Sequence, residues 1–517
     1  MILSQELDAM ASDFCSGRCI AQDELFDIEA LCETISQALA QVKYQSYLVK
    51  LTDEMGRFEQ EKAEEVAADL HSQMNWKMDR ANALRSHFKS QEVMSRIAIQ
   101  AIREIRRSKT SSVDKPQHSV AYIIRQLKLP QEVTLLRRVY GRQFILVSAY
   151  ASEAQRLAAM EQQLAKSLPT DTSSTDVTHL AGKLIARDAK EDGHGDYGQN
   201  LSETFHLADL FTHGLDKNKM ETTIERFFQA FFGRNDISPS REEFGLYAAK
   251  SASLRSADLS RQVGAAIFSE DGELVTQGCN EVPKALGGNY WDGDDPDNRD
   301  ISKGHDPNDK LKKEVIRNVV ERLQTKGFLS DTLTSVGNSF KIVDYLTDKK
   351  NENGVLSDAH VMDLTEYGRI VHAEMNAVCD AARIGRSVKG STLYCTTFPC
   401  HNCAKHLIAS GIKQVVFLEP YPKSKAYELY ADEIQIEADQ DPNRVAFIPF
   451  LGISPYRYRD IFQKGKRKTG GKADKWYSGE PKPMLEIEFP SYSKVEQWAL
   501  VPLIGAVFDE VDEPKKL

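Results

Sequence analysis

The 517-residue sequence predicts an α/β protein with two main domains. Three observations carry this. Helix-period and strand-like patterns alternate through the first half, as a parallel sheet with crossover helices requires. A stretch of turn-forming residues, Gly233-Arg234-Asn235-Asp236-Ile237-Ser238-Pro239-Ser240, then breaks the pattern. Beyond it the alternation restarts. The expected organisation is a first domain over 1–238, a second over 239–450 and a C-terminal extension over 451–517.

In the first domain, Ile28, Leu31, Ile35, Leu39 and Val42 recur at the 3.6-residue period and predict a helix over 28–42. Tyr47-Leu48-Val49 is a short strand candidate. Residues 59–106 are helical in pattern and highly charged, and 108–117 form a polar loop. A strand follows over 119–125, a helix over 130–140, a strand over 144–147 and a loop over 168–177. The second domain reads as helix 241–259, strand 263–268, a turn at Glu270-Asp271-Gly272 and strand 273–279. A long polar, acidic insertion spans about 283–367. After it come helix 372–384, strand 391–396, helix 401–410, strand 413–418, helix 424–433 and strand 445–449.

Composition narrows the class. Hydrophobic residues are 41% and charged residues 27%, a soluble globular balance. No run approaches the roughly 18 apolar residues of a membrane helix. The N-terminal residues lack a basic and an apolar region, so no secretory signal is expected. The eight cysteines form no regular secreted framework, which fits a reducing, cytoplasmic compartment. The net charge of −10 argues against a general polynucleotide-coating role.

The chemistry concentrates in His372-Ala373-Glu374 and Pro399-Cys400-His401-Asn402-Cys403. One His and two Cys offer three ligands to zinc and leave a fourth position open, the catalytic rather than the structural pattern. Glu374, two residues from His372, can sit beside the metal without binding it. There it can take a proton from the attacking water and pass it to a leaving amine. Each ligand segment opens a predicted helix, where the N-terminus favours thiolate and carboxylate charge. H-x-E…P-C-x-x-C is the pattern of zinc-dependent nucleobase deaminases; the bland alternative is a structural zinc knuckle.

Residues 244–280 and 371–432 resemble deoxycytidylate deaminase. The resemblance rests on Arg261-Gln262-Val263-Gly264-Ala265-Ala266-Ile267, Gly278-Cys279-Asn280-Glu281-Val282-Pro283, His372-Ala373-Glu374-Met375-Asn376-Ala377 and Leu393-Tyr394-Cys395-Thr396-Thr397-Phe398-Pro399-Cys400. It implies a cytidine-deaminase-like α/β/α domain with zinc on His372, Cys400 and Cys403, and Glu374 as proton shuttle. It implies substrate contacts at Asn280, Arg261, Thr397 and Tyr427, with Asn280 on the deoxyribose. The reaction implied is hydrolysis at C4 of cytosine with loss of ammonia. The chain as a whole resembles the two-domain bacterial antiphage deoxycytidine-nucleotide deaminases, whose first domain is P-loop-kinase-like. That resemblance implies depletion of dCTP and dCMP during phage replication, restraint by a small inhibitory RNA, and a homo-oligomer such as a hexamer. The first domain departs from the pattern, because no G-x-x-x-x-G-K-[S/T] phosphate loop occurs and Asp23-Glu24-Leu25-Phe26-Asp27 precedes the first helix.

Other candidates have bland readings beside functional ones. Cys15 and Cys19 read as free thiols. His401 and His406 read as outer-face residues of their helix. His194 and Asp196 sit in a loop that suits a nucleotide or simply solvent. Asp292, Asp294, Asp295 and Asp297 read as a solvated acidic loop, since the Gly a calcium loop needs at its sixth position is replaced by Asp297. Lys464, Lys466, Arg467 and Lys468, with Lys475 and Trp476 nearby, form the densest cationic cluster, suited to phosphate or RNA contact or to a solvated face. Free dCMP or dCTP is the expected substrate. A polynucleotide deaminase and a catalytically idle nucleotide or RNA sensor are the alternatives; the acidic charge opposes the first and the intact Glu374 the second.

Overall fold

The computed structural model describes residues 28–58, 69–169, 172–191, 197–348, 354–357, 359–364, 367–421, 424–436, 441–474, 483 and 492–508. The readings at Cys15, Cys19, residues 23–27, His194, Asp196, Lys475 and Trp476 lie outside these residues. The chain divides into two compact units, one made from the segments before Ser240 and after Phe450, the other from Ser240–Phe450.

In the first unit, α1 (Ile28–Gln41) buries Leu31, Ile35 and Leu39 and leads into β1 (Gln45–Lys50). The stretch expected to be helical over 59–106 contains two helices, α2 (Leu70–His87) and α3 (Val93–Thr110). Lys89 takes a positive φ of 46°, which an α-helix cannot accommodate, and separates them. Next, β2 (Val120–Arg125) pairs parallel with β1. Pro130 opens α4 (Pro130–Tyr140), where its missing N–H costs nothing. The strand expected at 144–147 stands three residues later, as β3 (Val147–Tyr150). Helices α5 (Glu153–Ser167) and α6 (Ser174–Ala189) precede β4 (Leu210–His213), which pairs parallel with β3, and α7 (Lys217–Phe231) follows.

The second unit opens with α8 (Arg241–Ser253). Its N-cap Ser240 accepts from the Glu243 N–H at 3.2 Å, and Glu243 accepts from the Ser240 N–H at 2.8 Å. An antiparallel hairpin of β5 (Gly264–Phe268) and β6 (Leu274–Cys279) comes next. The segment expected as a polar insertion carries α9 (Pro307–Thr325) and α10 (Ser339–Thr347), which bury Ile316, Val320, Ile342 and Val343 as a small core of their own. Then come α11 (Ala373–Arg383), β7 (Thr392–Thr397), α12 (His401–Ser410), β8 (Gln414–Glu419), β9 (Ile434–Ile436) and β10 (Val445–Pro449). The predicted helix over 424–433 is a single turn, Ala426–Leu429.

These strands form one sheet in the order β6-β5-β7-β8-β10-β9. β7, β8, β10 and β9 run parallel, while β5 is antiparallel to both neighbours. The core gathers Ala265, Ile267, Leu393, Val415 and Phe447 with Ala373, Ala377, Ala404 and Leu407 from α11 and α12. Two glycines let helices lie directly on the sheet. A Cβ at Gly264 would strike the Ala249 carbonyl of α8, and one at Gly278 would strike the Ala373 carbonyl of α11.

Residues after 450, read from sequence as an extension, are integrated into the first unit. β11 (Gly452–Ile453) pairs antiparallel with β4. The hairpin of β12 (Lys468–Thr469) and β13 (Lys472–Ala473) follows, then α13 (Tyr492–Phe508). The buried Glu496 carboxylate accepts from both Arg106 guanidinium nitrogens at 2.7 and 2.8 Å and from the Tyr140 hydroxyl at 2.8 Å. That network ties α13 to α3 and α4. Arg457 likewise pairs with buried Asp209 at 3.0 Å.

Candidate metal centre

The site is built where two helices begin. His372 is the N-cap of α11, with φ −63° and ψ 154°, and Cys400 is the N-cap of α12, with φ −68° and ψ 166°. Neither side chain caps its own helix, so the imidazole and the thiol are left for another partner. His372 Nδ1 lies 3.4 Å from Cys400 Sγ and 3.4 Å from Cys403 Sγ. All three donor atoms fall within 4.8 Å of one another. Glu374, in the first turn of α11, is 4% exposed and lies against Cys403.

Close packing of these groups shifts their proton affinities in opposite directions. Hydrogen bonds from Cys403 and then His372 pull the Cys400 thiol down to about 3. The contact with Cys400 pushes His372 up to about 9. The same Cys400 partner, with burial, drives the Cys403 thiol well above its usual range. Burial foremost raises the Glu374 carboxyl. An imidazole nitrogen and two sulfurs make a borderline-soft donor set, one short of tetrahedral coordination, and this fits zinc better than a hard cation. The residues present can therefore hold a metal ion.

Several bonds fix the frame around the donors. Ser424 Oγ donates to the Pro399 carbonyl at 2.8 Å, steadying the turn that carries Cys400. The Gly264 N–H donates to Thr396 Oγ1 at 3.1 Å, and Cys395 Sγ donates to the Thr397 carbonyl at 2.9 Å. On α11, Asn376 Nδ2 donates to buried Asn289 Oδ1 at 2.7 Å.

The other sequence-identified residues are placed as follows. Asn280 is buried and its amide is committed: Oδ1 accepts from the Val263 N–H at 2.7 Å, and Nδ2 donates to Asp258 at 2.6 Å and to the Arg261 carbonyl at 2.8 Å. It clamps the loop between α8 and β5. Thr397 Oγ1 donates to Glu419 Oε2 at 3.3 Å, and Arg261 Nη1 stands 3.5 Å from the same oxygen. The Arg261 guanidinium also lies 5.5 Å from the Tyr421 ring centroid. Tyr427 is half exposed on the single-turn helix. His406 is exposed and contacts the Asn402 carbonyl at 2.6 Å, and neither it nor His401 joins the donor group. Asp294 pairs with Lys284 at 2.9 Å and Asp297 with Arg299 at 2.7 Å, so both carboxylates are engaged within the loop. Lys464 is half-buried, whereas Lys466, Arg467 and Lys468 are exposed, all in the first unit.

Residues 419–426 contribute to the resemblance to the two-domain deaminases, but the sequence alone gives no individual role to Glu419, Asp258, Asn289 or Ser424. Glu419 was the most findable. It ends a strand parallel to the one leading into Cys400, and ligands of open α/β sheets bind at the carboxyl ends of strands.

Residues 239–419 match the family model for the cytidine and deoxycytidylate deaminase zinc-binding region. The deoxycytidylate deaminase of Enterobacteria phage T2 is 51% identical over 55 residues, 11% of this chain and 29% of that protein. The deoxycytidylate deaminase of Homo sapiens is 43% identical over 54 residues, 10% of this chain and 29% of that protein. The chain thus spans less than a third of the length of these curated relatives. The structure of dCMP deaminase from cyanophage S-TIM5 in apo form aligns at 15% identity and a TM-score of 0.22, covering 41% of this chain and 99% of that one. Among the described residues, no helix is long and apolar enough to cross a membrane.

Proposed function

We propose that the second unit is a zinc-dependent deaminase of free deoxycytidine nucleotides, dCMP or dCTP. The observation that carries this reading is the convergence of His372, Cys400 and Cys403 at two helix N-termini with the buried Glu374 carboxyl against Cys403. The family match over residues 239–419 and the deoxycytidylate deaminases among the relatives support the substrate class.

A zinc ion on those three donors would supply Lewis acidity and a nucleophilic water at neutral pH. The chain's own residues do the rest. Cys400 is already a thiolate at neutral pH, whereas His372 and Cys403 would each give up a proton on becoming ligands. Glu374, its proton affinity raised by burial, takes a proton from the attacking water and delivers one to the departing amine. A C4–O bond forms, the C4–N4 bond breaks, and ammonia leaves a uracil nucleotide. Arg261, Thr397 and Tyr427 are the proposed substrate contacts, with Asn280 able to add only the second lone pair of its Oδ1, since both Nδ2 hydrogens are used within the loop.

The wider proposal concerns the whole chain. The first unit is read as a nucleotide-kinase-like domain, a reading supported by its parallel β1–β2 and β3–β4 pairs. Lys464, Lys466, Arg467 and Lys468 are read as a phosphate or RNA contact. A cytoplasmic homo-oligomer such as a hexamer, restrained by a small inhibitory RNA and depleting deoxycytidine nucleotides as antiphage defence, completes it.

The test offers zinc-loaded protein dCMP, dCTP, CTP, cytidine and a cytosine-containing DNA strand separately, with products resolved by chromatography. Conversion of dCMP or dCTP with the DNA untouched is expected. Conversion of the DNA alone, or of nothing, refutes the reading.

A further inference from the structure

Arg261 and Glu419 form an ion pair at the carboxyl end of the sheet. Arg261 is half exposed and reaches Glu419 Oε2 at 3.5 Å, beyond hydrogen-bond length. Glu419 is the better anchored partner: Thr397 Oγ1 donates to the same oxygen at 3.3 Å, and the Phe398 N–H donates to the Glu419 carbonyl at 2.8 Å. Those bonds tie Glu419 to the segment that continues through Pro399 into Cys400. The Arg261 backbone is fixed by Asn280, but among the described residues its side chain meets this loose pair and the Tyr421 ring at 5.5 Å. A guanidinium so placed can turn to a better anion, and a phosphate offers it two short parallel bonds.

We propose that Glu419 is an internal competitor for Arg261 that tempers the hold of the site on the nucleotide's phosphate. This rests on the deaminase reading above. The phosphate of an incoming nucleotide takes Arg261, and Glu419 stays in place on Thr397.

The experiment compares wild type with Glu419→Gln, Arg261→Gln and the double variant, all zinc-loaded, on deoxycytidine, dCMP and dCTP. Calorimetric binding of dUMP and deoxyuridine gives a readout independent of turnover. Glu419→Gln should raise the dCMP-to-deoxycytidine ratio of kcat/KM about two- to five-fold, in line with a partly exposed charge pair. dCTP, whose phosphates compete for the same guanidinium, should gain over deoxycytidine as well, through KM rather than kcat. Tightening should appear for dUMP and be absent for deoxyuridine, and all of these shifts should vanish in the Arg261→Gln background. A uniform change across phosphorylated and unphosphorylated ligands, or no change, overturns the competitor role while leaving the deaminase reading intact. Wild-type protein that deaminates none of the three compounds refutes the deaminase reading and the competitor with it.

Discussion

Gly278→Ala tests whether the catalytic geometry depends on how closely α11 lies on β6. The new Cβ would stand 2.5 Å from the Ala377 backbone nitrogen and 3.0 Å from Asn376 Cβ, and closer still to the Ala373 carbonyl. Ordinary contact needs about 3.5 Å, so the helix must retreat by roughly 1 Å. The atoms in the way are mostly backbone, which has no rotamer to yield. Overpacking of this kind costs about 1–3 kcal/mol of stability. The larger effect falls on chemistry, because α11 carries Glu374 and begins at His372. A displacement near 1 Å costs on the order of 10²-fold in rate. The assay pairs thermal denaturation with metal content and dCMP turnover. Gly182→Ala is the control: that glycine lies inside α6 with nothing within 4 Å of a new Cβ. It should gain about 0.5–1 kcal/mol, since Ala is the better helix former. Gly278→Ala protein with wild-type turnover and metal content would refute the reasoning.

Other expectations follow from single contacts. Glu496→Ala leaves the buried Arg106 guanidinium without its carboxylate and should cost about 3–5 kcal/mol in urea unfolding; a loss under about 1 kcal/mol would mean that α13 is not held by this network. Cys403→Ala removes one of three donors, so the purified protein should lose most of its zinc by elemental analysis, and retention at one ion per chain would contradict the ligand assignment. Zinc uptake by metal-free protein should release protons, because His372 is held protonated up to about 9. Apparent affinity should therefore climb with pH from 6 to 9 and go on climbing beyond, because the Cys403 thiol lies higher still, as read by dye competition; an affinity independent of pH between 6 and 9 would exclude that proton release.

The centre was legible because its chemistry is local. His372, Glu374, Cys400 and Cys403 sit in two short segments whose spacing and helix-start positions can be read directly, and short runs bounded by turn residues mark β5 to β8 to within a residue or so. The partners in the surrounding frame were hidden, because Asn289, Asn376 and Ser424 become neighbours only through the fold. In the insertion, polar residues outnumber the few apolar positions that make its core. Leu311, Val315, Ile316, Val319, Val320 and Leu323 do recur at helical spacing on α9, but charged residues surround them. The return of the tail to the first unit rests on a two-residue strand, Gly452–Ile453, and on Glu496, a charged residue that reads as solvent-facing until Arg106 and Tyr140 are seen around it.

The central claim is that Glu374 moves the proton at a metal centre it does not itself hold. Glu374→Gln protein, assayed side by side for zinc content and dCMP deamination, tests it most directly. The account predicts full zinc occupancy with turnover reduced by about 10²–10⁴-fold or more. Turnover close to wild type, or loss of the metal together with activity, would contradict it.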